Sequence, residues 1–338
     1  MNPFRIFAAM GDAVARIDTP DGHTFDVSYA MEGMKVQSVA VDPHDPDRVV
    51  AGTDDDGVFL TTDGGENWRF IGEEIQHRRT PSVAISPAHR ENGTSVIYVG
   101  TEPSRLYRSE DDGKTWRDFP ELPALPSSTT WSFPPRPWTH HTRWITPHAT
   151  KPEILYVGIE LGGVMRSTDA GETWEDRKPG AYTDSHAIRV HPTGTERVYE
   201  AAGQGVALSL DEGESWTPVD EGMDRHYSWG IAVDPVDPAL WYVSASHSAR
   251  YAHARNGNAQ AHLYRKRGDA PFELLNTDLD NPLPYMPYSL LTLRDRPGVL
   301  LAGMQHGEIL LSEDAGDRWR RLDLKLPGLL QLDEAVTA

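Results

Sequence analysis

One eight-residue pattern, Ser/Thr-x-Asp-x-Gly-x-x-Trp, recurs through the chain and constrains its fold more than any other feature. It occurs five times, at Thr61–Trp68, Ser109–Trp116, Ser167–Trp174, Ser209–Trp216 and Ser312–Trp319. Neighbouring copies lie 42 to 58 residues apart, except for one gap of about double that length between Asp211 and Asp314. A period of this size indicates a supersecondary unit that must stack on copies of itself to bury its faces.

Each repeat contains four short apolar runs separated by Gly, Pro, Asp and Asn turns, which predicts four β-strands. In residues 34–76 the runs are Val36–Val41, Arg48–Gly52, Val58–Thr62 and Trp68–Ile71. Five further units cover residues 77–122, 139–180, 181–222, 223–280 and 281–327. No segment shows a helical period of useful length.

The two ends of the chain predict one more unit. Phe4–Ala8, Ala13–Ile17 and Phe25–Ser28 match second, third and fourth strands, and Leu329–Leu332 remains as a single strand. Pairing the two ends would close a ring and remove its exposed sheet edges. We therefore expect a single all-β domain over residues 1–338. Its predicted fold is a seven-bladed β-propeller of four-stranded antiparallel blades, with six or eight blades as the alternative.

Composition limits the classes of partner. The 338 residues carry a formal net charge of −19, which disfavours nucleic acid and anionic membranes because phosphate binding is mainly driven by cations. No apolar run approaches 18 residues, and the N-terminus shows no secretory pattern. The absence of cysteine excludes disulfides. These features predict a cytoplasmic protein of unknown oligomeric state.

The recurring motif predicts a structural role. Its Asp can accept hydrogen bonds from turn N–H groups, its Gly permits a positive φ, and its Trp can pack between sheets. The motif resembles the bacterial neuraminidase repeat, or Asp-box, of the sialidase-like β-propellers. That group includes sialidases, xyloglucanases, sortilin-type receptors and photosystem assembly factors. The resemblance implies a propeller fold and suggests glycoside hydrolysis, but no arginine triad of the sialidase type can be assigned.

The loops at the end of each unit opposite the motif contain most of the chemically versatile side chains. Functional residues usually lie on loops that a rigid scaffold carries. The predicted substrate-binding residues are Arg143, Glu102, Arg105, His226, His247, Arg250, Tyr288, Gln305 and His306. The sequence also contains two insertions on this side, at 121–138 and 245–262, which are long enough to act as lids or binding loops.

The same loops also contain the four predicted catalytic residues, which are Glu160, His141, His186 and Tyr227. A glutamate beside an arginine can serve as a tuned acid or base, and histidine exchanges protons near neutral pH. Each histidine alone is more often structural, and their convergence from several units is what favours a site. No cofactor is expected. If a divalent metal is bound, its ligands are among His141, His186, His247 and His306.

Two functions remain open from the sequence. The first is an enzyme that binds a small polar, sugar-like or anionic substrate, and acts as a hydrolase with paired carboxylates or as a lyase. Glu102 and Glu160 are the evident carboxylate pair, with Asp184 as a substitute. The second is a noncatalytic propeller that binds a protein partner, for which the negative charge would suit a basic surface.

Overall fold

The structure is a computed structural model, and it describes residues 3–275 and 279–336. By its internal contacts the chain divides into two compact units, which are described in turn. Unit 1 comprises residues 1–177 and 333–338, and unit 2 comprises residues 178–332.

Unit 1 contains four antiparallel sheets whose strands follow one another in chain order. The first has β1 (Phe4–Ala9), β2 (Val14–Thr19) and β3 (Asp26–Ala30). The second has β4 (Val36–Asp42), β5 (Asp45–Thr53), β6 (Val58–Thr61) and β7 (Arg69–Phe70). The third has β8 (Ser82–Glu91), β9 (Thr94–Gly100), β10 (Leu106–Ser109) and β11 (Arg117–Asp118). The fourth has β12 (Thr142–Pro147), β13 (Leu155–Ile159) and β14 (Gly163–Ser167), and a 3-10 helix at Pro126–Thr130 precedes it.

Unit 2 contains three four-stranded sheets of the same type. The fifth sheet has β15 (Ser185–Val190), β16 (Val198–Ala202), β17 (Gly205–Ser209) and β18 (Thr217–Pro218). The sixth has β19 (Tyr227–Val233), β20 (Leu240–Ser246), β21 (His262–Arg267) and β22 (Glu273–Leu274), with the helical turn α1 (Ala249–Ala252) between β20 and β21. The seventh has β23 (Pro287–Thr292), β24 (Leu300–Met304), β25 (Glu308–Ser312) and β26 (Arg320–Lys325).

The last strand of the chain, β27 (Gln331–Ala335), pairs with β1 and makes the first sheet four-stranded. Both ends of the chain therefore contribute to one sheet, as the repeat count predicts. The seven sheets are the blades of an all-β, seven-bladed β-propeller, so the predicted fold class is confirmed. One local expectation differs, because the fourth strand predicted at Trp174–Asp176 is reduced to a single bridge between Arg166 and Glu175.

Apolar packing between adjacent sheets explains why these short strands are stable. In unit 1, Val50 and Leu60 of the second sheet share a buried cluster with Ile97 of the third. In unit 2, Tyr242 of the sixth sheet packs with Leu300 of the seventh. Burial of a side chain of this size contributes about 1.5–3 kcal/mol. Among the described residues, no helix is long and apolar enough to cross a membrane.

The recurring motif forms the same turn at all five positions. Its Ser or Thr hydroxyl oxygen accepts a hydrogen bond from the Gly N–H, for example Gly171 to Ser167 at 2.8 Å. The Asp carboxylate accepts from the backbone N–H four residues later, as Thr173 donates to Asp169 Oδ1 at 2.8 Å. The glycine adopts φ +97° at Gly171, a conformation that side chains disfavour. The turn therefore shows the structural roles that the sequence predicts for the Asp and the Gly of the motif.

Candidate functional site

A buried charged cluster in unit 1 brings together four of the predicted site residues, which are Glu102, His141, Arg143 and Glu160. His141 Nε2 lies 2.9 Å from Glu160 Oε2, and His141 Nδ1 lies 3.8 Å from Glu102 Oε2. The Arg143 guanidinium lies 4.0 Å from Glu160. All three of His141, Glu102 and Glu160 are at most 8 % exposed. We call His141, Glu102 and Glu160 the imidazole–carboxylate cluster.

The insertion at 121–138 places an arginine, Arg136, against this cluster. Arg136 Nε donates a hydrogen bond to Glu102 Oε1 at 2.7 Å, and a second guanidinium nitrogen contacts the other carboxylate oxygen. Phe133 packs between the Arg136 guanidinium, 4.8 Å from its ring centre, and the His141 ring at 4.3 Å. A bidentate pair of this kind fixes geometry as well as charge. The insertion is therefore anchored on the cluster by its own side chains.

In the imidazole–carboxylate cluster, the charges of neighbouring groups determine the protonation state of Glu102 and His141. Burial alone would raise the pKa of Glu102, but its contacts with His141 and Arg136 outweigh that effect and lower the pKa to about 2. Burial alone would lower the pKa of His141, but the carboxylates of Glu102 and Glu160 outweigh it and raise the pKa. Glu102 therefore stays ionised, and His141 tends to carry a proton that it can share with Glu160.

Local backbone geometry explains how Glu160 reaches this position. It directly follows β13, in a turn where Leu161 has φ +48° and Gly163 has φ +97°. A Cβ added at Gly162 would lie 2.5 Å from the Ile159 side chain and 2.9 Å from Trp131. The turn needs glycine because the chain passes so close to its neighbours, and Glu160 lies buried at the start of this turn.

In unit 2, a cluster of aromatic and histidine side chains contains three of the predicted site residues, His186, Tyr227 and Tyr288. His186 packs against the rings of Tyr227, at 4.9 Å, and Trp229, at 4.4 Å. The Tyr227 hydroxyl lies 3.1 Å from His253 Nε2, and His253 Nδ1 lies 2.7 Å from the Tyr288 hydroxyl. Gln305 Nε2 donates to Tyr288 at 2.8 Å. We call His186, Tyr227, Trp229, His253 and Tyr288 the aromatic cluster.

Two acidic residues of unit 2, the half-buried Asp184 and the buried Glu200, lie beside the aromatic cluster. Asp184 Oδ1 is 3.5 Å from His186 Nε2. Glu200, on β16, is fully buried and accepts the Tyr182 N–H at 3.0 Å. Burial raises the pKa of Glu200 to about 7, and the nearby Asp184 charge adds to that shift. Glu200 can thus hold a proton at neutral pH.

β-Bulges at the start of several first strands aim these side chains. The pairing register shifts between Thr142 and Trp144, between Ser185 and Ala187, and between Pro287 and Ser289. The extra residues at these three shifts are Arg143, His186 and Tyr288. A bulge turns a side chain out of the regular alternation of a strand and is frequent next to functional sites. Three predicted site residues thus lie at β-bulges in equivalent first strands.

The other predicted residues lie apart from the two clusters or have other partners. Arg105 pairs with Asp118, 3.1 Å from its Nε, and not with Glu102. His226 lies 3.5 Å from Asp220, while His247 and Arg250 are exposed. His306 stacks on Tyr285 at 3.8 Å and lies 3.2 Å from Glu308.

Sequence reasoning did not single out several residues that belong to the two clusters or lie beside them. Arg136, Phe133, Trp229, His253 and Glu200 fall in this group. Trp229 follows Tyr227 at a spacing of two along one strand, which places both on one face, and this signal was present in the sequence. Arg136 and His253 lie in the insertions, where no periodicity predicts contacts.

For a metal, the four candidate histidines differ in their surroundings. Both His141 nitrogens face carboxylates and its raised pKa favours the protonated form, which cannot act as a ligand. His247 is exposed on the insertion at 245–262, and His306 lies beside Glu308. His186 Nε2 has no hydrogen-bond partner within the described part of the chain.

Comparison with known proteins gives relatives of moderate similarity. No protein-family model matches the chain. Xyloglucanase Xgh74A of Acetivibrio thermocellus is 28 % identical over 255 residues, which is 62 % of this chain and 29 % of that protein. The oligoxyloglucan-reducing end-specific xyloglucanase of Emericella nidulans is 24 % identical over 153 residues, which is 41 % of this chain and 17 % of that protein. The chain thus spans less than a third of the length of either relative.

Solved structures share the fold at low identity. The GH74 xyloglucanase from Xanthomonas campestris superposes with a TM-score of 0.61 and 15 % identity, covering 98 % of this chain and 54 % of that one. A YCF48 protein bound to a D1 peptide superposes with a TM-score of 0.57 and 16 % identity, covering 85 % of this chain and 81 % of that one. These likenesses concern the fold alone.

Proposed function

We propose that this protein is a propeller glycoside hydrolase that acts on xyloglucan-type oligosaccharides. The observation that carries the proposal is the buried contact of 2.9 Å between His141 and Glu160. The sequence relatives named as xyloglucanases support the choice of a glycoside over other polar substrates.

Glu160 is the proposed acid–base group, and His141 is its proton partner. Glu102 is a poor proton donor because its pKa lies at about 2 and Arg136 occupies both of its carboxylate oxygens. Its role is to hold His141 protonated by charge, so that His141 can return a proton to Glu160. Proton transfer of this kind contributes about 10²–10⁴-fold to a rate.

The imidazole also limits the mechanism. It lies between Glu102 and Glu160, so a glycosidic bond cannot lie between those two carboxylates. The usual paired-carboxylate arrangement would therefore need a second acid other than Glu102. A lyase reaction needs only one base, and it is distinguished from hydrolysis by an unsaturated product.

The aromatic cluster of unit 2 is the proposed sugar-binding surface. Trp229 and Tyr288 are partly exposed, and their rings lie 5.4 Å apart at an angle of 31°. Flat aromatic faces with polar edges suit the apolar faces and hydroxyl groups of sugar rings. His253 and Tyr288 add hydrogen-bonding groups at the edge of this surface.

The test is turnover of a panel of glycosides by the purified protein and by Glu160→Gln. The panel contains xyloglucan oligosaccharides, the polymer, cello-oligosaccharides and uronate-containing oligosaccharides. We expect reducing ends to appear from xyloglucan oligosaccharides and kcat to fall at least 100-fold in Glu160→Gln. Glu153→Gln is the matched control, because Glu153 is an exposed glutamate in the loop before β13. Equal turnover in the two variants would contradict the role of Glu160.

A noncatalytic, peptide-binding propeller is the second candidate. Its support is the fold shared with the YCF48 structure bound to a D1 peptide, which covers 85 % of this chain. The net charge of −19 would suit a basic peptide. Absence of turnover on the whole panel, together with saturable binding of lysine- and arginine-rich synthetic peptides, would replace the hydrolase proposal with this one.

A further inference from the structure

The proton on the His186 ring can be assigned from one contact. His186 Nδ1 lies 2.6 Å from the Ser228 carbonyl oxygen. A carbonyl oxygen only accepts hydrogen bonds, so Nδ1 carries the proton and donates it. In the neutral ring Nε2 then presents a lone pair. The ring is 1 % exposed and is packed by Tyr227 and Trp229, so its orientation is fixed.

That lone pair has no hydrogen-bond partner among the described residues. His186 Nε2 is buried and unbonded, and so is Asp184 Oδ1, which lies 3.5 Å from it. With the ring neutral, two electron-rich atoms face each other with no proton between them, and leaving both of these buried polar atoms unpaired is unfavourable. A cation between the two atoms removes both penalties.

The approach of Asp184 is built into the backbone. A Cβ added at Gly203 would lie 2.0 Å from Asp184 Oδ2, so glycine is needed where the chain passes this carboxylate. The Gly203 N–H donates to the Asp184 carbonyl oxygen at 2.8 Å, and the Asp184 N–H donates to Gln204 at 3.3 Å. The bulge at His186 directs the imidazole to the same place.

We propose that Asp184 and His186 form a binding site for a divalent transition-metal cation of the zinc class, held between His186 Nε2 and Asp184 Oδ1. The spacing fits: two donors each about 2.1 Å from a tetrahedral zinc ion lie about 3.4 Å apart. A histidine that donates its other N–H to a backbone carbonyl is the usual arrangement of a metal ligand. With two protein ligands, the other coordination positions are open to water or to a bound oxygen ligand. His186 also belongs to the aromatic cluster, so the metal site adjoins the proposed sugar-binding surface, and metal binding can be measured without any glycosidase turnover.

The test is metal binding by the full chain after dialysis against a chelator. Zinc is titrated by calorimetry, the bound metal is counted by mass spectrometry, and cobalt substitution gives the absorption of the bound ion. We expect one equivalent of zinc with a micromolar dissociation constant, which corresponds to about 8 kcal/mol. We expect His186→Gln and Asp184→Asn each to weaken binding at least tenfold.

A matched control comes from a second buried histidine in the same unit. His191 follows β15 directly, and both of its ring nitrogens have partners, at 2.7 Å in Thr193 and 3.0 Å in the Asp234 carbonyl. His191→Gln should bind zinc like the parent protein. Circular dichroism of each metal-free variant checks folding, and Asp184→Asn gives an independent result if His186→Gln fails to fold. Absence of stoichiometric binding, or equal binding by Asp184→Asn and the parent, would overturn the proposal.

Discussion

His141 Nε2 and Glu160 Oε2 lie 2.9 Å apart in a buried environment, while Glu102 approaches the other side of the same imidazole. One ring therefore links carboxylates from two adjacent blades of unit 1. Because each group perturbs the other, the stability of this part of the protein should depend on pH in two opposite directions.

The acid side of this dependence belongs to Glu102. Its folded-state pKa of about 2 lies below the ordinary value of 4.5, so its stabilising effect is present above about pH 4.5 and is lost as pH falls towards 2. Glu102→Gln should lower the free energy of unfolding at pH 6 by about 1–3 kcal/mol, and less at pH 3. Urea unfolding over this range measures it, with the exposed Glu121→Gln as control. A difference that is independent of pH would contradict the assignment.

The basic side belongs to His141. Its pKa is raised in the folded state, so its contribution is fully present below its ordinary value of 6.5 and is lost as pH rises through the folded-state pKa. His141→Gln should therefore destabilise the protein more at pH 6 than at pH 9. The ring protons of His141, followed by NMR, should titrate above 6.5 in the parent and nearer to 6.5 in Glu102→Gln. A titration below 6.5 in the parent would be the opposite of this result.

The motif turn at Ser167–Trp174 should matter for stability and not for activity. Asp169 accepts hydrogen bonds from Ser167, from the Thr173 N–H and from the Thr173 hydroxyl, at 2.6–2.9 Å. Asp169→Ala removes these acceptors, and we expect a loss of about 1–3 kcal/mol in the free energy of unfolding. Glu172→Ala, in the same turn, removes only an exposed ion pair with Arg117 and should cost less than about 1 kcal/mol. Thermal unfolding compares the two variants.

Gly307 should be irreplaceable in the turn between β24 and β25. It has φ +96°, and a Cβ there would lie 1.8 Å from the Leu326 carbonyl oxygen. Gly307→Ala should destabilise by about 2–4 kcal/mol, because backbone and not a flexible side chain must move. Gly268→Ala is the control: its φ is +55°, with open space around it, so only the strain of about 1 kcal/mol applies. Similar losses in both variants would show that the close approach does not matter.

Trp229 should contribute to ligand binding if the aromatic cluster receives a sugar. Trp229→Ala removes the partly exposed ring beside Tyr288 and should weaken binding of a xyloglucan heptasaccharide about tenfold, or about 1.4 kcal/mol. Tyr29→Ala, which removes an exposed ring on β3, should leave binding unchanged. Calorimetric titration measures both. An unchanged affinity in Trp229→Ala would remove the aromatic cluster from the proposed binding surface.

Much of the candidate site was predictable as a list of residues, but their contacts were not. Loop position identified Glu160, His141 and His186, since connections at one end of a repeated unit can be read from spacing. Spacing did not reveal that Arg105 pairs with Asp118, nor that Arg136 from an insertion reaches Glu102. These pairings depend on the conformations of long side chains in the folded protein. The spacing of residues in the sequence carries no information about those conformations.

The sequence by itself determined the repeat, the strand order and the strand shared by the two ends of the chain. A period of four apolar runs and a glycine-containing turn can bury its faces only as stacked sheets. Only the tertiary structure decided which side chains meet, because β-bulges rotate Arg143, His186 and Tyr288 out of the strand alternation. Burial then set their protonation, since the charge of His141 depends on two carboxylates that lie far from it in the chain or across a turn.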